Sequence, residues 1–405
     1  MKHIVVVGAG QAGSSLVFKL RALGHTGKIT LIGEEADLPY QRPPLSKSYL
    51  LGEMARERLY LRPQASYDQN NITLCLGQRV TAVDPTTQTV QLKQTSLKYD
   101  ELVFTTGSRP ARLPAAMGGD LRRVYYVRTL ADIDAMSAEF LTGRKVLIVG
   151  GGYIGLEAAA VAARKGLNVT VVEAADRILQ RVAAPETSDF FRSLHQSNGV
   201  EVLEGTGLAE LQGDEQVTQA LMTDGQKIDV DFVVVGVGIK PNSEIAREAG
   251  LDVNNGICTD AFGKASVQNV WAAGDCASFP YMGTRIRLES VPHAIEHAET
   301  VATNILGGNT EYIAKPWFWS DQYDVKLQIA GLNSGFSNVV RRNGAKEGSV
   351  SHWYFLADRL LAVDAMNAPS DYMIGKKLIE SGKSPCPSQI ENPKILLKDL
   401  LREIA

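Results

Sequence analysis

Ile4-Val5-Val6-Val7-Gly8-Ala9-Gly10-Gln11-Ala12-Gly13 decides the fold. An apolar run ends in three glycines spaced G-x-G-x-x-G, and a helical pattern follows. Each glycine has its own reason: Gly8 for a tight turn, Gly10 for backbone approach to a pyrophosphate, Gly13 for close helix–strand packing. The free N–H groups of the helix that follows would face the phosphates. The pattern returns about 140 residues later as Val146-Leu147-Ile148-Val149-Gly150-Gly151-Gly152-Tyr153-Ile154-Gly155. One such motif is weak evidence, because glycine turns are common. Two, each in strand–turn–helix context, imply two dinucleotides on one chain.

Each fingerprint is trailed by an acid at the end of the next strand. Glu34 lies 21 residues after Gly13, with Glu35 as a second choice, and Glu173 lies 18 after Gly155. A carboxylate there can accept ribose hydroxyls, and it repels a 2′-phosphate. Glu173 is followed by Ala174-Ala175, so NADH is expected over NADPH, although Arg177 and Arg181 lie nearby. The plainer reading of Glu34 is a solvated turn residue.

Short β-rich runs alternate with helical stretches through most of the chain, which predicts α/β architecture. Strands are expected at 2–7, 28–33, 101–105, 168–173 and 231–237, and helices at 12–24 and 154–165. Antiparallel runs are expected near 81–84 and 89–93. After about Pro316 aromatics become dense, strands alternate with turns, and a helical tail starts near Ser370.

The 405 residues carry a net charge of −3, and 44% are hydrophobic. That suffices for several buried cores and gives no global signal for nucleic acid or an anionic membrane. No apolar run approaches the roughly 20 residues of a membrane span. The N-terminus runs straight into a strand, so a cytoplasmic protein is expected. Cys75, Cys258, Cys276 and Cys386 form neither a C-x-x-C pair nor a zinc-like cluster, so no metal site is expected.

Three further places carry chemistry. Arg42-Pro43-Pro44-Leu45-Ser46-Lys47 is a stiff loop that can present Arg42 and Lys47 to a polyanion or an electron-rich ring; the alternative is a surface turn. Gly274-Asp275 could bind a sugar-alcohol chain. Glu157, on the first turn of the second fingerprint helix, either complements the helix dipole or faces a nicotinamide.

Taken in order, these motifs resemble a family: the NADH-dependent ferredoxin reductases of bacterial oxygenase systems, of the putidaredoxin reductase type. Gly-Tyr-Ile-Gly-Leu-Glu, Thr106-Gly107-Ser108-Arg109-Pro110 and Phe318-Trp319-Ser320-Asp321 strengthen the likeness, which spans the whole chain. The resemblance implies a glutathione-reductase-like fold with two Rossmann-like domains and a C-terminal α+β domain. Its limits would be FAD domain 1–112 and 245–316, NAD domain 113–244, and C-terminal domain 317–405. It implies FAD contacts by Glu34, Arg42, Lys47, Val80, Arg128, Asp275, Val291 and Trp319, with Lys47 and Glu157 as catalytic residues. Many relatives carry tryptophan at the position of Val291, so the flavin surroundings differ here from that subset.

The resemblance further implies electron flow from NADH through FAD to a separate [2Fe-2S] ferredoxin that supplies an oxygenase such as a cytochrome P450. An acidic ferredoxin needs a basic face, for which Arg285, Arg287, Arg341, Arg342 and Lys346 are candidates; the alternative for each is a solvated charge. Disulfide reductases of this fold carry redox cysteines after the first ribose acid. Here Ser46 stands in that segment, and thiol chemistry needs a thiolate. The competing readings are an NADH-dependent reductase of rubredoxin or oxygen, and an NADH-sensing flavoprotein resembling apoptosis-inducing factor.

Overall fold

A computed structural model describes residues 1–344 and 346–403. The chain divides into two compact units. The first holds Met1–Arg42, Ala55–Arg109 and Ile239–Ala314; the second holds Pro43–Met54, Pro110–Gly238 and the chain from Lys315 onward.

The first unit is built on a parallel sheet in the order Val270–Ala272, Glu101–Phe104, Ile4–Val7, Ile29–Ile32, Ile72–Cys75. The alternation of a strand sends its side chains to opposite faces. Ile4 and Val6 join a core with Leu16, Val17 and Leu20 of the helix Gln11–Ala22 and Val301 and Ile305 of the helix Val291–Ile305. Val5 and Val7 join a second core with Val80, Val83 and Val90 of a small antiparallel sheet. A strand buried on both faces must be apolar at every position, which is why Ile-Val-Val-Val reads as an unbroken run.

The second unit repeats the scheme. Its parallel sheet runs Glu201–Glu204, Asn168–Glu173, Lys145–Val149, Phe232–Val235, Val124–Tyr126. The helix Tyr153–Arg164 packs on it, and eight of its twelve residues are buried. The same unit contains an antiparallel sheet in the order Trp317–Gln322, Val325–Gly331, Arg359–Met366, Val350–Leu356, Asn338–Asn343. Trp353 and Val363 of that sheet share a core with Tyr372 and Leu378 of the helix Pro369–Glu380. Among the described residues no helix is long and apolar enough to cross a membrane.

Candidate nucleotide-binding and redox site

The two fingerprints have the same stereochemistry. Gly8 has φ +115° and Gly150 φ +105°, and a Cβ on either would come within 2.5 Å of a backbone carbonyl oxygen, of Thr105 and Gly236 respectively. On Gly13 or Gly155 a Cβ would lie 2.1 Å from the carbonyl oxygen of Gly8 or Gly150. These four glycines are dictated by internal crowding. Gly10 and Gly152 are different: a Cβ there would meet nothing within 4 Å. Both are helix N-caps without a side-chain cap. Each unit therefore presents uncapped N–H groups beside an open glycine, the shape a pyrophosphate needs. The residues fit two dinucleotides.

Glu34 is exposed and paired with Arg79 at 3.0 Å, whereas Glu35 is bound to the Arg42 guanidinium at 2.6 Å and to the Tyr40 phenol. Glu35 is thus occupied in orienting Arg42, and Glu34 is the acid left at the surface. Val80 is buried at the start of the strand Val80–Asp84. Asp275 accepts from the Ser108 hydroxyl at 3.0 Å. Val291 opens its helix, whose N-cap Ser290 accepts from the His293 N–H.

In the second unit Glu173 accepts the N–H of Gly151 at 2.8 Å and of Ala175 at 2.9 Å. That fixes the carboxylate at the fingerprint turn and leaves lone pairs for hydroxyl donors. Arg177 donates to the Ser188 hydroxyl at 2.5 Å and to the Ala183 carbonyl at 2.8 Å. Tyr153 turns its ring onto Phe318, with centroids 5.2 Å apart, and its hydroxyl is buried. The Tyr153 phenol is thus enclosed within its own unit, while Ile154 stays 42% exposed. Arg128 is half-buried past the strand Val124–Tyr126.

The same unit brings Lys47 and Glu157 together. Lys47 Nζ lies 2.8 Å from Glu157 Oε2, and that oxygen also accepts from Ser46 Oγ at 2.9 Å. Glu157 Oε1 accepts from Ser320 Oγ at 2.7 Å. A carboxylate only 5% exposed would be costly without such donors. Sequence reading found Lys47 and Glu157 but not Ser46 or Ser320 as their partners. The strand Trp317–Gln322 also holds Trp319, half-buried beside Trp317 at 5.7 Å.

Two of the five expected docking cations, Arg342 and Arg287, are corrected because their side chains are buried. Arg342 is buried, and its guanidinium donates to the carbonyls of Ile390, Asn392 and Ile395 at 2.7–2.9 Å. It ties down the C-terminal segment. The Arg287 side chain is 8% exposed and pairs with Glu289 at 2.5 Å and with the Asp275 carbonyl at 3.3 Å. Arg285 is exposed, yet it donates to the carbonyls of Thr259 and Ser278. Charge alone in the sequence does not distinguish a carbonyl-binding arginine from a free one. Arg341 and Lys346 are exposed.

All four cysteines are free thiols. Cys276 is buried against the Phe104 carbonyl, and burial pushes its thiol pKa up. Among the described residues no group of three or more His, Cys, Asp or Glu could hold a metal ion.

Residues 2–298 match the family model for pyridine nucleotide-disulphide oxidoreductases, and residues 317–401 match the reductase C-terminal model. The chain belongs to that oxidoreductase family. It is 43% identical over 404 residues to a ferredoxin–NAD(P)+ reductase of Sphingomonas sp., covering 98% of this chain and 97% of the relative. It is 38% identical over 402 residues to the ferredoxin–NAD+ reductase component of the anthranilate 1,2-dioxygenase system of Burkholderia cepacia, covering 98% of each. Among solved structures, putidaredoxin reductase in its covalent complex with putidaredoxin matches with a TM-score of 0.96 and 37% identity. That match covers 100% of this chain and 99% of the other. Within the family this oxidoreductase groups, at full length, with the ferredoxin reductases.

Proposed function

We propose that this ferredoxin reductase carries electrons from NADH through FAD to a separate, acidic [2Fe-2S] ferredoxin that serves an oxygenase. The observation that carries the reading is the duplicated cradle: two fingerprints of one stereochemistry, each with an open glycine and a trailing carboxylate. The first, with Glu34, Arg42, Val80, Asp275 and Val291, would hold FAD, as would Lys47, Arg128 and Trp319. The second, with Glu173, would hold NADH.

Three features support these assignments. Glu173 is anchored at the fingerprint, and Arg177 is committed to a hydroxyl and a carbonyl, so a 2′-phosphate would meet a carboxylate there and could draw on Arg177 only by breaking those bonds. No cysteine stands in the segment around Ser46, which suits an electron path to a protein carrier instead of a disulfide. The full-length relatives include reductases named for ferredoxins and for a dioxygenase system.

FAD supplies the conversion of a two-electron hydride into single electrons. The protein's residues supply geometry and charge. Each glycine cradle would hold the pyrophosphate of its own nucleotide. Lys47, gripped by Glu157, would place a fixed positive charge where negative charge develops. Trp319 would mark the electron exit, and Arg341 and Lys346 the docking face. A cytoplasmic location suits this chemistry.

The test is anaerobic titration followed by turnover. NADH should bleach the bound flavin faster than NADPH, and a ferredoxin should stimulate cytochrome c reduction. A protein that takes up no FAD, or that no ferredoxin stimulates, would sink the proposal.

A further inference from the structure

The strand Trp317–Gln322 sends alternate side chains to one face: Phe318, Ser320 and Gln322. Each meets a different residue of its own unit. Phe318 packs on Tyr153, Ser320 donates to Glu157, and Gln322 reaches His195 of the helix Pro185–Ser197. Tyr153 and Glu157 are one helical turn apart, so strand and helix run their spacings side by side.

The result is a continuous hydrogen-bonded chain. Gln322 Nε2 donates to Ser320 Oγ at 3.2 Å. Gln322 Oε1 lies 2.8 Å from His195 Nε2, and the Tyr323 phenol lies 3.1 Å from His195 Nδ1. Ser320, Gln322 and His195 are at most 1% exposed.

Donor and acceptor counts give this chain a direction. Burial lowers the pKa of His195, so its ring is neutral and carries one N–H. The Glu157 carboxylate can only accept, which commits the Ser320 proton to it and, back along the chain, the Nε2–H of His195 to the Gln322 carbonyl and the Tyr323 phenol proton to Nδ1. The Gln322 amide then points its NH2 at Ser320. A serine hydroxyl has one proton, and with a donor already facing its oxygen that proton goes to Glu157. Reversing the histidine tautomer would turn the Gln322 carbonyl onto Ser320 and draw the proton away from Glu157.

We propose that Gln322 and His195 are positioning residues that fix the Ser320 proton on Glu157 and thereby hold the Lys47–Glu157 pair in its working geometry. The inference rests on the reading that this pair lies at the flavin. Loss of the Ser320 proton makes the Glu157 carboxylate a stronger acceptor for Lys47, so less positive charge is left to stabilise the reduced flavin.

The test is a double-mutant cycle of Gln322→Met and Glu157→Gln in the FAD-loaded full chain. FAD content, NADH reduction by stopped flow and the flavin midpoint potential are the readouts. Gln322→Met should keep its FAD and bind NADH within about twofold of wild type, while hydride transfer slows about fivefold. A fivefold loss in the two-electron equilibrium lowers the potential by about 20 mV, from about 30 mV per tenfold. In the Glu157→Gln background Gln322→Met should add nothing, because its effect runs through that carboxylate. His195→Phe removes the same anchor and serves if Gln322→Met fails to fold. Additive effects, or a Gln322→Met protein with wild-type rate and potential, overturn the inference. If Glu157→Gln alone changes neither rate nor potential, the placement of the pair at the flavin fails first.

Discussion

Acid should loosen the first unit through two buried histidines. His293 and His297 lie one turn apart on the helix Val291–Ile305, enclosed by Phe279 and Tyr312. His293 Nδ1 meets the Tyr312 phenol at 2.8 Å, but His293 Nε2 and both ring nitrogens of His297 are buried without a partner. Burial lowers the His293 pKa from 6.5 to about 4, and His297 is held below its ordinary value by burial and by His293. A depressed histidine pKa means that the unfolded chain binds more protons at mildly acid pH, so stability falls as pH falls through 6.5 and levels off below about 4. For His293 alone the loss between pH 7 and pH 5 is about 2 kcal/mol, and about 3 kcal/mol once the pH is below 4. His297 adds in the same direction.

Other titrating groups, among them Asp364 with its pKa raised by burial to about 6, act on wild type and variants alike and cancel in a comparison. His293→Gln keeps a polar side chain and does not titrate. The assay is urea unfolding of the FAD-loaded protein at pH 7 and pH 5, with the transition followed by FAD fluorescence on release. The free-energy difference between His293→Gln and wild type should move in favour of the variant by about 2 kcal/mol between the two pH values. A difference that is the same at both pH values refutes the reasoning, because it would mean that His293 charges as readily in the folded protein as in the unfolded one.

Gly10→Ala should fold normally, since its Cβ meets nothing within 4 Å, yet lose FAD affinity more than about tenfold in a titration of the apoprotein. Gly152→Ala should keep FAD and raise the KM for NADH by a similar factor, whereas Gly13→Ala should fail to accumulate as folded protein, because its Cβ would sit 2.1 Å from a carbonyl oxygen. Glu173→Ala should raise the KM for NADH about tenfold and leave NADPH nearly unchanged, as read from steady-state kinetics with both nucleotides. Arg342→Ala should destabilise by about 3 kcal/mol in a denaturant melt, by stripping the buried Ile390 carbonyl and two part-buried carbonyls of their donor, without selectively changing the KM for ferredoxin. Arg341→Glu should do the reverse, weakening ferredoxin turnover in a salt-dependent way at wild-type stability.

The parts of the fold set by local rules were legible in the sequence. A buried parallel strand must be apolar throughout, so Ile4–Val7 and Val146–Val149 stood out, and glycines forced by crowding mark the turns that follow. Lys47 and Glu157 were legible only as separate suspicions, because 109 residues of chain lie between them. Ser46 and Ser320 stood inside quoted motifs, but nothing marked them, Gln322 or His195 as belonging to one hydrogen-bonded chain, since serine and glutamine are common everywhere and only folding shows which ones share a proton. The arginines misled for the same reason. Arg287 and Arg342 have the composition of a docking face, and their burial depends on carbonyls that the sequence leaves anonymous.

The hairpin that joins Trp317–Gln322 to Val325–Gly331 turns at Tyr323, which sits at φ +55°. That turn sets the phase of the strand, and the phase decides which side chains face inward. One residue added or removed there would swing Ser320 and Gln322 outward and bring Trp319 and Asp321 in. Glu157 would lose the Ser320 donor and face a second carboxylate. On the proposed role of the Lys47–Glu157 pair, a length change in this short turn, of a kind surface loops ordinarily absorb, would act as a lesion in electron transfer while leaving both nucleotide cradles intact.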